Sequence, residues 1–304
     1  MSLADYDVLR SGCGLVERIE RACLAMTGSD RRSFLQGLVT NDVLALGPGQ
    51  SCYAAMLTPQ GRMITDLYVH ETGDRLLLDV PRELAAALAA RLDQSIFSED
   101  AAVQEVSLVH LTLGSTEWSD LALSQPARSD AGMVIARGLP FDVPLMDVFV
   151  PPPAAPAVLD AMQQAGVTQV GQDAFEILRI ESGVPRWGVD MDEDTIPLEA
   201  GIDERAISLS KGCYVGQEVI IRVLHRGHGR VARRLVRLAL SEATEATLPS
   251  RGDGLKKDDR DVGKLTSVAW SPRLGGIALG YVHRDFVEPG TEVTYPGGRA
   301  VVSA

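Results

Sequence analysis

The chain has 304 residues, 45% of them hydrophobic, and a formal net charge of −12 at pH 7. A chain of this length predicts about two domains and can bury a core large enough to fold without disulfides. Its overall acidity disfavours an electrostatic grip on a phosphate backbone, so direct binding of nucleic acid is not expected.

Neither the amino terminus nor the cysteines predict export. Residues 1–10 are polar and lack the basic-then-apolar plan of a signal peptide, and no apolar run approaches the roughly 18 residues of a membrane helix. We therefore expect a cytoplasmic protein with no membrane span. Because no two of the four cysteines form a CxxC pair, neither a disulfide framework nor a zinc site is expected. The cysteines are Cys13, Cys23, Cys52 and Cys213.

Strand and turn patterns dominate the first 140 residues. Ser29 is a favourable N-cap for a short helix that places Leu35 and Val39 on one face. Period-two alternation and Gly or Pro turns then predict several strands and two helices. The predicted strands are 51–57, 63–70, 75–80 and 103–113, and the predicted helices are 82–94 and a segment near 116–123.

The second half begins with a proline-rich break at 151–156 and two helices. These helices are predicted at 157–165 and 173–182, and the second buries Phe175 and Leu178 and stops at Gly183. From about residue 230, short strands separated by Gly and Pro indicate a small antiparallel barrel or sandwich. Its predicted strands are 235–240, 261–269, 277–282 and 292–295, with 241–259 as a surface loop. The order of elements predicts an α+β fold, since it lacks strict βαβ alternation.

The most distinctive motif is Lys-Gly-Cys-Tyr-Val-Gly-Gln-Glu at 211–218, with an amphipathic helix after it. Its glycines permit backbone angles and close approaches closed to other residues. A cysteine beside Lys211 and near a helix amino terminus is placed where a thiolate is stabilised. From the residues alone, a buried structural cysteine in a turn is the favoured interpretation of Cys213.

This motif matches at every position the pattern K-G-C-[FY]-x-G-Q-E, and the chain therefore resembles the YgfZ folate-binding branch of the GcvT (aminomethyltransferase-like) family. Three further blocks agree with the family in order and spacing, at 30–43, 53–66 and 179–199. Together the blocks extend over roughly residues 10–282.

The resemblance implies an α+β cloverleaf of mainly antiparallel sheets with flanking helices, plus a C-terminal β-barrel. Its expected divisions are an N-terminal folate-binding lobe at 1–139, a second lobe at 140–229 and the barrel at 230–304. The two lobes are expected to exchange segments around a central channel, so the division near position 140 is a convenience.

The resemblance also implies tetrahydrofolate or a derivative as the cofactor. Glu181 matches a glutamate that accepts the adjacent N–H groups of the pterin, a role that suits a carboxylate. Tyr53 matches a tyrosine against the pterin ring, and Asp66 matches the aspartate beside the reactive nitrogens. Asp79 stands where aminomethyltransferases have an asparagine that touches folate.

Two cations and one thiol complete the implied site. Lys211 and Arg222 are candidates for the carboxylates of the folate tail, and Cys213 is a candidate redox-active or sulfur-handling residue. Several of these residues also have a plainer interpretation: Glu181 as a cap or pair on the helix surface, Tyr53 as core, and Asp66 as a solvent-facing strand residue. No metal site is predicted, because His225 and His228 lack a third ligand type.

Departures from the aminomethyltransferase pattern favour the YgfZ branch. Aminomethyltransferases have a second aspartate where this chain has Thr65, an aspartate at Cys213 and an arginine at Gln217. The leading hypothesis is therefore a tetrahydrofolate-binding accessory protein for iron–sulfur cluster assembly or repair, which supports tRNA modification indirectly. Its partners would be iron–sulfur proteins or assembly factors.

Two other functions remain open. One is a folate-dependent aminomethyltransferase or demethylase acting on a small amine. The other is an adaptor for RNA or protein that docks through a cationic strip at 222–237, which contains six arginines. A solvated face is the plainer interpretation of that strip.

Overall fold

The computed structural model describes residues 3–115, 132–137, 140–225 and 229–303. The helix expected near 116–123 lies outside these ranges, as do Arg226 and His228. Of the helices within these ranges, none has both the length and the apolar character needed to span a bilayer.

The first sheet has five antiparallel strands in the order β3-β4-β5-β2-β6. One face is covered by the helices α2 (Arg31–Gln36) and α3 (Ala85–Gln94), whose leucines pack with strand residues into one apolar core. The strands are β2 (Arg21–Thr27), β3 (Ser51–Leu57), β4 (Met63–Glu71), β5 (Leu76–Pro81) and β6 (Ala102–Val106). Three of them, β3, β4 and β5, confirm the strands expected from period-two alternation.

The second sheet combines the beginning of the chain with strands that follow position 108, in the order β10-β1-β7-β9-β8. Helices α1 (Leu3–Ser11), α4 (Ala155–Gln164) and α5 (Gln172–Glu181) pack against it. Its strands are β1 (Cys13–Glu17), β7 (Val109–Ser115), β8 (Val134–Arg137), β9 (Leu145–Val150) and β10 (Thr168–Gln169). The sheet thus joins residues from both sides of position 140, and the fold has no simple division there.

The single strand expected at 103–113 is wrong, because this segment forms two strands in different sheets. β6 ends at Val106 in the first sheet, and β7 begins at Val109 in the second. The connection is only Ser107 and Leu108, so the apolar pattern continues almost unbroken while the chain changes sheets. The alternation of apolar and polar residues predicts which face of a strand is buried, but it does not predict which neighbouring strand it pairs with.

The two sheets face each other through a line of aromatic side chains. The His70 ring on β4 lies 5.1 Å from the Phe149 ring on β9, and His110 on β7 lies 4.3 Å from Phe149. Tyr68 stacks on His70 with ring centroids 6.3 Å apart. Near this contact, Asp66 of β4, Asp79 of β5 and Asp147 of β9 line one cavity.

The last quarter of the described chain forms a closed barrel with strand order β11-β14-β13-β12-β15-β16, so the C-terminal strands form a barrel and not a sandwich. Part of the expected loop at 241–259 is in fact a strand, because β12 pairs with β13 and β15. The short helices α6 (Asp203–Ala206) and α7 (Gln217–His225) precede the barrel. Its strands are β11 (Arg233–Ser241), β12 (Gly254–Lys257), β13 (Arg260–Ser271), β14 (Gly275–His283), β15 (Glu292–Tyr295) and β16 (Gly298–Val302).

Helix α5 confirms the helix expected at 173–182 and begins one residue earlier. Phe175 and Leu178 are buried as expected, and Gly183 ends the helix with φ +68°, a conformation that strains other residues. The predicted cap of α2 is wrong by one position. Asp30 precedes that helix, while the Ser29 hydroxyl donates to Asp100 at 2.8 Å.

Candidate functional site

A cavity of about 250 Å³ lies where the two sheets meet α5 and the loop that follows it. Charged side chains make up most of its wall, and three aromatic rings and several other residues complete it. The charged residues are Arg18, Glu20, Arg21, Asp66, Asp79, Asp147, Asp173, Glu176, Arg179 and Arg186, and the rings are Tyr68, Phe175 and Trp187.

Strand β4 contributes two polar side chains to this wall. Asp66 is 5% exposed; its Oδ2 accepts a hydrogen bond from the Tyr53 hydroxyl at 3.2 Å, and Arg21 Nη1 lies 3.6 Å from the same oxygen. The other oxygen, Oδ1, is buried and has no hydrogen-bond partner among the described residues, and the same holds for the Tyr68 hydroxyl. Buried polar atoms are almost always paired, so two orphans on one cavity wall mark a place where a ligand would complete the hydrogen bonding.

Asp79 on β5 shares a guanidinium with Asp66. Arg21 donates from Nε to Asp79 Oδ1 at 2.9 Å and from Nη2 to the Asp79 carbonyl at 2.7 Å. Burial alone would lower the pKa of Arg21, but the two carboxylates raise it above its usual range. Arg21 therefore stays charged and fixes both aspartates.

Asp147 on β9 is a further carboxylate that lines the cavity. The Thr112 hydroxyl donates to its Oδ1 at 2.5 Å, and His110 Nε2 lies 3.1 Å from the same oxygen. Burial would raise the pKa of this carboxyl, but His110, Arg18 and the Thr112 hydroxyl together lower it to about 2. Asp147 is consequently an ionised hydrogen-bond acceptor at neutral pH.

The barrel braces the opposite wall of the cavity. Arg179 donates to the two oxygens of Glu176 at 2.7 and 2.8 Å and to Asp190 Oδ2 at 2.7 Å. On β13 of the barrel, the Thr266 and Ser267 hydroxyls donate to Asp190 Oδ1 at 2.6 and 2.7 Å. This network holds the Glu176 carboxylate in place at the cavity wall.

Of the expected site residues, Asp66 and Asp79 line the cavity, and Tyr53 contacts it through Asp66. Glu181 does not line it. Its fully buried carboxylate accepts hydrogen bonds from Tyr6 at 2.8 Å, from Arg10 at 2.9 Å and from the Ser271 hydroxyl. The carboxylate thereby joins α1, α5 and the barrel.

The motif residues lie elsewhere. The Lys211 ammonium donates to the carbonyls of Gln36, Val39 and Asn41 at 2.6, 2.7 and 2.9 Å, at the end of α2. Cys213 is exposed, and the exposed Arg222 pairs with Glu218 at 2.9 Å on α7. Of these three expected site residues, Asp66 lines the cavity, and Glu181 and Cys213 are not among its lining residues.

The cationic strip divides into separate contacts. Arg233 lies 3.2 Å from Glu199, and Arg237 donates to the Glu181 carbonyl at 3.0 Å. Across the ranges that the structure describes, no group of three or more His, Cys, Asp or Glu side chains is placed to hold a metal ion.

Sequence reasoning missed several cavity residues, among them Asp147, Glu176 and Arg179. A signal was present for two of them. Asp147 shares the face of β9 that buries Leu145 and Phe149, and Arg179 interrupts the buried stretch of α5. A charged residue on an apolar face requires a buried partner, which neither pattern identifies.

Comparison with known proteins agrees with this architecture. The GCVT N-terminal domain model matches residues 1–131, and the model of the glycine cleavage T-protein C-terminal barrel domain matches residues 233–302.

Relatives and a solved structure extend the likeness along the chain. Aminomethyltransferases of Rubrobacter xylanophilus and Bacillus subtilis are each 28% identical, over 95% and 99% of this chain and 81% and 88% of their own lengths. The crystal structure of glycine cleavage system aminomethyltransferase T from Bartonella henselae has a TM-score of 0.87 at 23% identity. That likeness covers 99% of this chain and 88% of the other. Both domain models of the glycine cleavage T-protein, the N-terminal domain and the C-terminal barrel domain, thus match this chain.

Proposed function

We propose that this protein binds a reduced folate, tetrahydrofolate or a derivative, with the pterin ring in the central cavity. The observation that carries the proposal is the pair of unpartnered buried atoms on β4, Asp66 Oδ1 and the Tyr68 hydroxyl. A pterin offers N–H donors and ring acceptors to such a pair. The rings of Tyr68, Phe175 and Trp187 supply the flat apolar contacts that an aromatic ligand requires.

Within this proposal, Asp147 takes the role that the family resemblance gave to Glu181. Asp147 lines the cavity, and its lowered pKa keeps it ionised, so it can accept two N–H groups side by side. Glu181 already accepts hydrogen bonds from Tyr6, Arg10 and Ser271 outside the cavity.

The first candidate activity is transfer of a one-carbon unit from a small amine to the folate. A bond forms between that carbon and a folate nitrogen, the carbon–nitrogen bond of the donor breaks, and the proton from the folate nitrogen passes to the departing amine. Several relatives of this chain bear the name aminomethyltransferase. In this chain, the Asp66 carboxylate would orient the ligand through Oδ1. Arg21 and the Tyr53 hydroxyl keep Oδ2 fixed, which leaves Oδ1 directed at the ligand.

Asp66→Asn tests ligand binding. Because the amide replaces a charged acceptor with a neutral group, we expect affinity for 5-formyltetrahydrofolate to fall about tenfold or more by calorimetry. Asp194→Asn, at an exposed position, is the control and should bind like wild type. Equal affinity of Asp66→Asn and wild type would remove the proposal. Turnover with tetrahydrofolate and small methylamines, lost in Asp66→Asn, would support the transferase.

The second candidate function is the YgfZ-type accessory role in iron–sulfur cluster assembly or repair. A specific observation favours it: Cys213 is exposed, away from the cavity, on a loop that Lys211 fastens to the end of α2. A thiol in that position is accessible to a partner protein such as an iron–sulfur protein or assembly factor. The departures at Thr65, Cys213 and Gln217 from the aminomethyltransferase pattern point the same way.

Cys213→Ala separates the two functions. The accessory role predicts an intact fold and intact folate binding but no complementation of a strain that lacks the protein. Cys52→Ala, at a half-buried thiol, is the matched control. Full complementation by Cys213→Ala would contradict a role for this thiol and leave the transferase as the remaining proposal.

A further inference from the structure

One arginine of the ligand cavity differs from the other three in its exposure. The side chains of Arg18, Arg21 and Arg179 are 7, 9 and 3% exposed. That of Arg186, which lines the same cavity from the loop after α5, is 40% exposed. Arg186 therefore lies at the mouth of the cavity, in contact with solvent.

The guanidinium of Arg186 has donors to spare. Its Nη1 donates to Glu176 Oε2 at 3.1 Å, the one side-chain hydrogen bond that it makes within the described ranges. Glu176 does not depend on this bond, because Arg179 already donates to both of its oxygens at 2.7 and 2.8 Å. Since a guanidinium carries several N–H donors and no acceptor, Arg186 can bind a further anion.

The backbone of Arg186 is fixed independently of this side chain. Its N–H donates to Asp190 Oδ2 at 3.0 Å, and its carbonyl accepts from the Asp190 N–H at 2.8 Å. The barrel hydroxyls of Thr266 and Ser267 hold the other oxygen of Asp190. The loop therefore presents residue 186 at the cavity mouth whatever its side chain.

The cavity is too small to enclose a whole folate. Its volume of about 250 Å³ lies below the roughly 300–1,000 Å³ of pockets that enclose a drug-sized ligand. With the pterin ring at the buried carboxylates Asp66 and Asp147, the aminobenzoylglutamate tail must extend to the mouth. The cations that the sequence suggested for this tail, Lys211 and Arg222, are not among the residues that line the cavity.

The more exposed carboxylates of the cavity do not exclude an anion from its mouth. Two of them are paired with buried arginines, Glu20 with Arg18 and Glu176 with Arg179. The third, Asp173, is exposed, so solvent and salt screen its repulsion.

We infer that Arg186 binds a carboxylate of the ligand's glutamate tail, and that the cavity thereby selects folates over pterins without a tail. This inference rests on the proposed folate binding. A carboxylate and a guanidinium form paired, charge-assisted hydrogen bonds, which fix the position of the tail as well as add affinity.

The test compares two ligands by calorimetry, 5-formyltetrahydrofolate and 6-methyltetrahydropterin, which has no tail. Arg186→Gln should weaken binding of the folate about tenfold and change binding of the pterin less than about twofold. Arg186→Lys, which keeps the charge but not the paired donors, should recover part of the loss. Arg284→Gln, at an exposed position after β14, is the matched control and should bind both ligands like wild type.

The outcomes separate this inference from the function on which it rests. Unchanged folate affinity in Arg186→Gln would overturn it. An equal loss for both ligands would also overturn it, because Arg186 would then only support the cavity wall through Glu176. A wild-type protein that binds neither compound would refute the proposed function, and this inference with it.

Discussion

Lys211 shows how one side chain of the sequence motif stabilises the fold. Its ammonium donates to three carbonyls at the end of α2 and in the segment that follows, while the side chain itself is 8% exposed. The motif loop is fastened further by the Val215 N–H, which donates to the Gly37 carbonyl at 3.2 Å. Lys211 thus positions the loop that bears Cys213, instead of contacting the cavity.

Lys211→Met should therefore destabilise the protein. The substitution keeps the apolar stem but leaves buried carbonyls unpaired, and hydrogen bonds to charged groups contribute about 1.5–3 kcal/mol each. Because such contributions are not additive, we expect the free energy of unfolding in urea to fall by about 2–4 kcal/mol. Lys264→Met, at an exposed barrel position, should change it by less than about 0.5 kcal/mol. Equal stability of the two variants would contradict this account of Lys211.

His70 makes stability depend on pH. The ring is 1% exposed, its Nδ1 lies 2.7 Å from the Ser51 hydroxyl, and its Nε2 has no partner. Burial lowers the pKa of His70 to about 4. Between about pH 6.5 and pH 4, this histidine is protonated in the unfolded chain but stays neutral in the folded protein. The free energy of unfolding therefore falls as pH falls through this window.

We expect this residue to account for about 2–3 kcal/mol of lost unfolding free energy between pH 7 and pH 4.5. His70→Gln should lose correspondingly less over the same interval in urea titrations, whereas His283→Gln should follow wild type. If the loss were the same in all three proteins, His70 would not be the group responsible.

At the scale of elements, the barrel requires a close approach that only glycine allows. A Cβ placed on Gly263 of β13 would lie 1.9 Å from the Tyr281 carbonyl oxygen of β14. No comparable obstacle surrounds Gly254 of β12, where nothing lies within 4 Å. The two positions form a matched pair within one barrel.

Gly263→Ala should lower the free energy of unfolding by about 1–3 kcal/mol, because β13 and β14 must separate to admit the methyl group. Gly254→Ala should be neutral or slightly stabilising, by up to about 1 kcal/mol. Urea unfolding of both variants measures the difference. A barrel that tolerates both alanines equally would show that the strands approach less closely than described.

Predictions from sequence succeeded for elements whose pattern is local. Helix α5 was predictable because Phe175 and Leu178 recur at helical spacing before Gly183. The division between β6 and β7 was not, since pairing with one sheet or the other depends on distant strands. Strand β12 was hidden in a polar segment, because Leu255 is its one buried residue and pairing with β13 and β15 places it in the barrel.

At the scale of the whole molecule, the cavity is assembled from the turn between β1 and β2, from β4, β5 and β9, and from α5. The family resemblance of the sequence predicted Asp66 and Asp79 as site residues, and both line the cavity. It also assigned Glu181 to the ligand, and that carboxylate accepts hydrogen bonds from α1 and the barrel, two positions after Arg179, the last cavity residue of α5. Which face of a buried helix meets the cavity depends on packing, and spacing alone does not determine it.

The barrel helps to position one wall of the cavity through hydrogen bonds from β13. The hydroxyls of β13 donate hydrogen bonds to Asp190, and Arg179 donates to the same carboxylate. Arg179 also donates to Glu176 and so positions it at the cavity wall. Residues separated by about ninety positions in sequence therefore form one hydrogen-bonded unit, Glu176 to Ser267. Sequence periodicity contains no information on contacts of this range.

Calorimetric titration with tetrahydrofolate on wild type, Asp147→Asn and Glu181→Gln tests the central claim most directly. If the pterin lies in the cavity, Asp147→Asn should weaken binding about 30-fold or more, because a charged acceptor is lost. Glu181→Gln, once circular dichroism confirms that it is folded, should bind within about threefold of wild type. Loss of binding in Glu181→Gln together with wild-type affinity in Asp147→Asn would contradict the account.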